Sequence, residues 1–130
     1  MIKLHHVGIV VKDINEGIKN YKDVYGFAQE SEIVYDEIQK VNVVFFSTNT
    51  SEVQIELISP AAEDSPVSNF LKKGGGLYHL CYQSDNFDED IGHFKKNGAK
   101  VLSKPVEARA FKKKIVFLYF KRDIIEIVEK

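Results

Sequence analysis

Read as apolar and polar positions, the chain runs through one arrangement twice. Alternating stretches at His6-Val7-Gly8-Ile9-Val10-Val11 and His79-Leu80-Cys81-Tyr82 each suit a β-strand with one buried face. Ile14, Ile18 and Tyr21 then recur at helical spacing, as do Phe87, Ile91 and Phe94, and each set makes one apolar stripe. Asp13 with Glu16, and Asn86 with Glu89, stand where a capping box opens a helix. Gly26 and Gly98 stand where a left-handed residue closes one. The remainder reads as strands over 31–38, 41–48 and 52–58 in the first copy, and over 100–104, 114–120 and 123–128 in the second. The predicted order is strand, helix, strand, strand, strand, twice.

Placing His6 over His79 aligns Leu4 with Leu77, Ile14 with Phe87, Glu16 with Glu89, Ile18 with Ile91 and Tyr21 with Phe94. After a one-residue deletion, Val43-Val44-Phe45-Phe46 falls on Ile115-Val116-Phe117-Leu118. A duplication of this length predicts two similar folding units. The expected organisation is a single α+β domain over 1–130, with module 1 at 1–58, a linker at 59–76 and module 2 at 77–130. Within the linker, Ser65-Pro66 opens a short helix over Val67 to Lys73, and Gly74-Gly75-Gly76 lets the chain re-enter a strand. Neither half carries enough apolar surface to stand alone.

Lys and Arg total 18 against 19 for Asp and Glu, so no net field draws the chain to nucleic acid or to an anionic membrane. The expected partner is a small molecule. A single cysteine excludes an internal disulfide, no apolar run reaches the roughly 20 residues that span a bilayer, and Met1 leads straight into strand-like sequence. A cytoplasmic protein is expected on these grounds.

The duplication carries chemistry as well as fold. Neighbours on a strand point to opposite faces, and the repeat selects His6, the equivalent of His79, over His5. On the closing strands Ile55, Leu57, Ile125 and Ile127 face one way, which leaves Glu56 and Glu126 on the other. A carboxylate set among apolar neighbours is costly to bury unless it is paired or coordinated. If each module curls its sheet into a half-cup, His6, Glu56, His79 and Glu126 surround one point. Two imidazoles and two carboxylates suit one divalent ion of the borderline-to-hard class, and a six-coordinate ion would keep two positions for water or substrate.

At these residues the sequence resembles the vicinal oxygen chelate superfamily over its whole length. That family contains glyoxalase I, methylmalonyl-CoA epimerase, extradiol dioxygenases and the fosfomycin- and bleomycin-resistance proteins. The resemblance implies two βαβββ modules forming a curved mixed-sheet cup around a divalent metal (Ni, Co or Zn), with ligands at His6, Glu56, His79 and Glu126. Glu56-Leu57-Ile58-Ser59-Pro60, Asp64-Ser65-Pro66 and Lys113 to Leu118 look like the epimerase, although the turn at Tyr119 to Asp123 is shorter and lacks the epimerases' His-Pro-Lys segment. The four-ligand set and the short chain look equally like the compact bacterial glyoxalase I enzymes.

The activity expected first is therefore that of a glyoxalase I-type lactoylglutathione lyase, which isomerises the hemithioacetal of methylglyoxal and a thiol to a lactoyl thioester. Methylmalonyl-CoA epimerase is the second expectation, and a non-catalytic binding or resistance protein of the same fold the third. Both enzymes move a proton beside a carbonyl, and that work is assigned to Glu126 with Glu56 as its counterpart, the sequence ranking neither above the other. Oxygen activation fits less well, because Glu56 would fill a position that dioxygen needs. Gln54, Arg109 and Lys113 are the expected substrate-binding residues, the two cations reaching carboxylate or phosphate groups of a thiol adduct or acyl thioester. Cys81 reads as a small floor residue and His93 as exposed. A homodimer with the modules pairing inside each chain is expected.

Overall fold

A computed structural model describes residues 2–110 and 112–130. The architecture is α+β, a mixed sheet with few helices, and the chain divides into two compact units. One is Val7–Tyr78; the other joins residues 2–6 to His79–Lys130, so the division falls inside the first strand, β1 (Ile2–Val10), and inside β6 (Gly76–Ser84).

In the unit Val7–Tyr78, α1 (Ile14–Asp23) follows β1 as predicted. Oδ1 of Asp13 accepts from the backbone amides of Asn15 and Glu16 at 2.9 and 3.1 Å, which closes the helix start. Four strands follow: β2 (Ala28–Gln29), β3 (Val34–Asp36), β4 (Val41–Ser47) and β5 (Gln54–Pro60). Strand β4 pairs antiparallel with the other three and sets Phe45 opposite Glu56. The apolar stripe of α1 closes over Val44, Phe46 and Leu57, all fully buried, with Ile14 buried in the same cluster and Ile18 and Tyr21 packed against it. Helix and strand approach so closely that a Cβ on Gly17 would sit 3.1 Å from Leu57 and 3.2 Å from Val11. Helix α2 (Ser68–Lys72) begins one residue later than predicted. The following Gly75 takes φ +70° where an added Cβ would lie 2.9 Å from the Val10 carbonyl oxygen, so only glycine fits this turn into β6.

The other unit repeats the plan with α3 (Phe87–Lys96), β7 (Lys100–Val101), β8 (Val106–Ala108), β9 (Lys113–Phe120) and β10 (Asp123–Glu129). Strand β10 lies between β6, to which it runs parallel, and β9, to which it runs antiparallel. Phe87, Val116, Leu118, Ile125 and Ile127 form the core beneath α3. Cys81 packs with Ala108, Ile115 and Val128 in a second cluster.

Three local expectations need correction. The strand expected over 31–38 is only the short β3, with β2 set before it at Ala28–Gln29, because Ser31 Oγ accepts the Phe45 amide at 2.9 Å where a ladder carbonyl would have done so. Asp36 then ends β3 by accepting from the amides of Ile38 and Gln39. The strand expected over 100–104 is likewise cut to β7, and a further short strand, β8, follows beyond Pro105, which has no N–H to give a ladder. The capping role expected for Asn86 is also not taken by its side chain. Ser84 Oγ instead accepts the Asn86 amide and donates to Asp90 inside α3.

Candidate metal centre

Each predicted ligand is placed by the strand that carries it. His6 on β1 is fully buried, and His79 on β6 and Glu126 on β10 are each 3% exposed. Because β6 and β10 run parallel with Glu126 beside Cys81, the side chains of His79 and Glu126 emerge side by side. Nε2 of His6 lies 3.1 Å from Nε2 of His79, and Oε1 of Glu126 lies 3.0 Å from the first and 3.2 Å from the second. Phe117, opposite Glu126 in the ladder, walls the site by meeting the His79 ring edge to face at 5.5 Å between centroids.

Burial pushes the Glu126 carboxyl upward, but the His6 and His79 imidazoles beside it outweigh burial and hold the group well below the usual carboxylate range. Glu126 is thus an anion at neutral pH, held between two imidazole nitrogens. The donor set also has the right size for a cation. Donors about 2.1 Å from one divalent ion and at right angles to each other are separated by about 3.0 Å, close to the three spacings found. His6, His79 and Glu126 therefore fit a divalent metal in chemistry and in spacing.

The structure brings these three together. Glu56 is also buried, at 6% exposure, on β5 of the Val7–Tyr78 unit, where Phe45 faces it in register as Phe117 faces Glu126. Gln54 is half-buried at the start of the same strand. Arg109 is exposed and Lys113 half-buried on the β8–β9 hairpin, outside the three-residue cluster. Cys81 is a core residue, and His93 is exposed on α3.

Sequence reasoning passed over His5. Strand alternation sends it away from the face of His6, yet the two Nδ1 atoms are 2.8 Å apart and the rings meet at 74°. Only the doubled histidine itself signalled this pair.

Comparison with known proteins supplies what the cluster alone does not. The family model described as the Glyoxalase/Bleomycin resistance protein/Dioxygenase superfamily matches residues 5–117. The mitochondrial methylmalonyl-CoA epimerase of Homo sapiens is 36% identical over 90% of this chain, which spans 66% of that relative's length. The ethylmalonyl-CoA/methylmalonyl-CoA epimerase of Cereibacter sphaeroides is 33% identical over 90% of this chain and 87% of its own. Among solved structures, methylmalonyl-CoA epimerase from Mycobacterium tuberculosis superposes with a TM-score of 0.86 at 27% identity, covering 97% of this chain and 86% of that one.

These relatives overturn the first expected activity. Relatives of this chain are named as methylmalonyl-CoA and ethylmalonyl-CoA epimerases, which fits the second expected activity better than the hemithioacetal reading, and that reading does not stand. The two-His, two-Glu set does not separate them, since both reactions remove a proton beside a carbonyl, and the shortened Tyr119 to Asp123 turn that favours the lyase does not exclude an epimerase. With the two-unit fold, the buried His-His-Glu cluster and a family match over most of its length, this chain belongs to the Glyoxalase/Bleomycin resistance protein/Dioxygenase superfamily.

Proposed function

We propose that the chain is a divalent-metal-dependent epimerase of a 2-alkylmalonyl-CoA thioester such as methylmalonyl-CoA, inverting C2 by removing its proton and returning one to the opposite face. The observation that carries this reading is the buried His6, His79 and Glu126 cluster, found in a chain whose relatives are named as epimerases.

In this proposal His6, His79 and Glu126 hold the ion, and Glu56, the counterpart of Glu126 in the repeat, is the fourth ligand. When bound, nickel, cobalt or zinc would polarise the substrate's carbonyl oxygens and acidify the carbon between them. Glu126 stays ionised at neutral pH and is assigned the proton transfer at C2, with Glu56 as counterpart. A positioned carboxylate contributes about a hundredfold to ten-thousandfold. The apolar walls that include Phe117 keep bulk water from competing for the proton. Gln54 is assigned to the acyl portion, and Arg109 and Lys113 to the phosphates of CoA. Work in the cytoplasm as a homodimer completes the proposal; among the described residues no helix is long and apolar enough to cross a membrane.

The decisive measurement is solvent exchange. Metal-stripped protein reloaded with cobalt, nickel or zinc and given a single C2 epimer of methylmalonyl-CoA in D2O should incorporate deuterium at C2 as that epimer converts to a mixture of the two. Absence of both with every metal overturns the epimerase reading.

A further inference from the structure

We propose that His5 is a positioning residue whose Nδ1 accepts the Nδ1–H of His6 and so holds His6 in the tautomer with its Nε2 lone pair free for the ion. This inference rests on the reading of His6 as a metal ligand.

The argument begins from proton counting. A neutral imidazole carries one N–H, and the nitrogen that binds a cation must be the other one. Nε2 of His6 is the atom that faces His79 and Glu126, at 3.1 and 3.0 Å. Its proton must therefore sit on Nδ1. His6 is fully buried, so that N–H requires a protein acceptor, and Nδ1 of His5 stands 2.8 Å away. The opposite tautomer would send Nε2–H into the cluster and remove a ligand. Metal-binding histidines are commonly fixed by a carboxylate, carbonyl or water on the second nitrogen, and losing that partner typically costs about 10- to 100-fold in metal affinity. Here a second imidazole from the adjacent residue takes the part.

The rings support this reading. They meet at 74° with centroids 5.1 Å apart, so the contact is edge-on through the nitrogens and is not a stack. The repeat does not duplicate the device. The equivalent of His5 in the second copy is Tyr78, whose ring packs against Phe70 with centroids 4.9 Å apart. His5 therefore serves one ligand, a role that a merely structural feature of the repeat would not explain.

The test titrates metal-stripped wild type, His5→Leu and His5→Asn with zinc in competition with a chromogenic chelator. Melting of the metal-free proteins verifies that each one folds. His5→Leu should lose about 10- to 100-fold in zinc affinity. His5→Asn, whose amide oxygen lies close to the position of Nδ1, should stay within a few-fold of wild type. Long-range 1H–15N spectra of the zinc-loaded proteins should show an exchange-protected proton on His6 Nδ1 in wild type and in His5→Asn, and its loss of protection in His5→Leu. Wild type that takes up no zinc overturns the metal reading and this inference with it. Wild-type binding that His5→Leu leaves unchanged, or a His6 bound through Nδ1, overturns this inference alone.

Discussion

The two strand pairs that close the copies, β4 with β5 and β9 with β10, reach the same register by different routes. Six residues join the first pair and two join the second, yet Phe45 opposes Glu56 and Phe117 opposes Glu126. In the short hairpin Lys121 and Arg122 both take positive φ, 52° and 74°, the mirror-image turn that matches strand twist. Register is thus set by which residues must face the core, and the loop accommodates it. The difference teaches that duplication preserved the inward-facing pattern and left the connections and supporting residues free to diverge.

The sharpest way to break the comparison is at the carboxylates. Glu126→Gln keeps the shape but removes the anion between His6 and His79, and it should abolish C2 proton exchange and weaken zinc binding. Exchange at the wild-type rate in that variant would remove Glu126 from the mechanism. The cores come next. Leu57→Ala and Ile127→Ala each empty a fully buried site under a helix, and each should cost about 3 kcal/mol in urea denaturation. Similar losses would establish that both copies carry equal weight, whereas a loss confined to one would mean that the copies unfold separately.

Smaller effects separate the helices. Asp13→Ala removes a side chain that accepts two backbone amides and should cost about 1 kcal/mol, while Asn86→Ala, where no side-chain cap exists, should stay within about 0.5 kcal/mol. Equal losses would contradict the capping difference. Gly92→Ala should stabilise α3 by about 0.5 to 1 kcal/mol, because a Cβ there meets nothing within 4 Å. Gly17→Ala gains the same helix propensity but presses on Leu57 and Val11, so its melting temperature should fall below that of Gly92→Ala.

Much of this molecule is legible in the chain because strand and helix periodicities follow from backbone geometry alone. Leu57 and Ile127 were placed inward, and Glu56 and Glu126 on the opposite face, by alternation only, and the cores confirm the placement of the apolar pair. His6 and His79 were selected by the repeat and do meet. The shortened second strands are less legible, since Ser31 replaces a ladder bond with its side chain, a choice that depends on where Phe45 lies in space. The substrate class is illegible in the ligand set for another reason. Ligand type sets the kind of proton chemistry, and that chemistry is common to hemithioacetals and malonyl thioesters.

The sequence by itself determined a duplicated α+β plan, the inward faces of its strands and the histidines and glutamates able to hold a metal, because these depend on spacing along one backbone. Only the tertiary structure decided that His6, His79 and Glu126 stand 3.0 to 3.2 Å apart, and that His5 turns its Nδ1 to His6 despite lying on the other side of the alternation. Distances between strands and the rotamers of neighbouring side chains follow from packing against residues remote in sequence, and no local pattern records them.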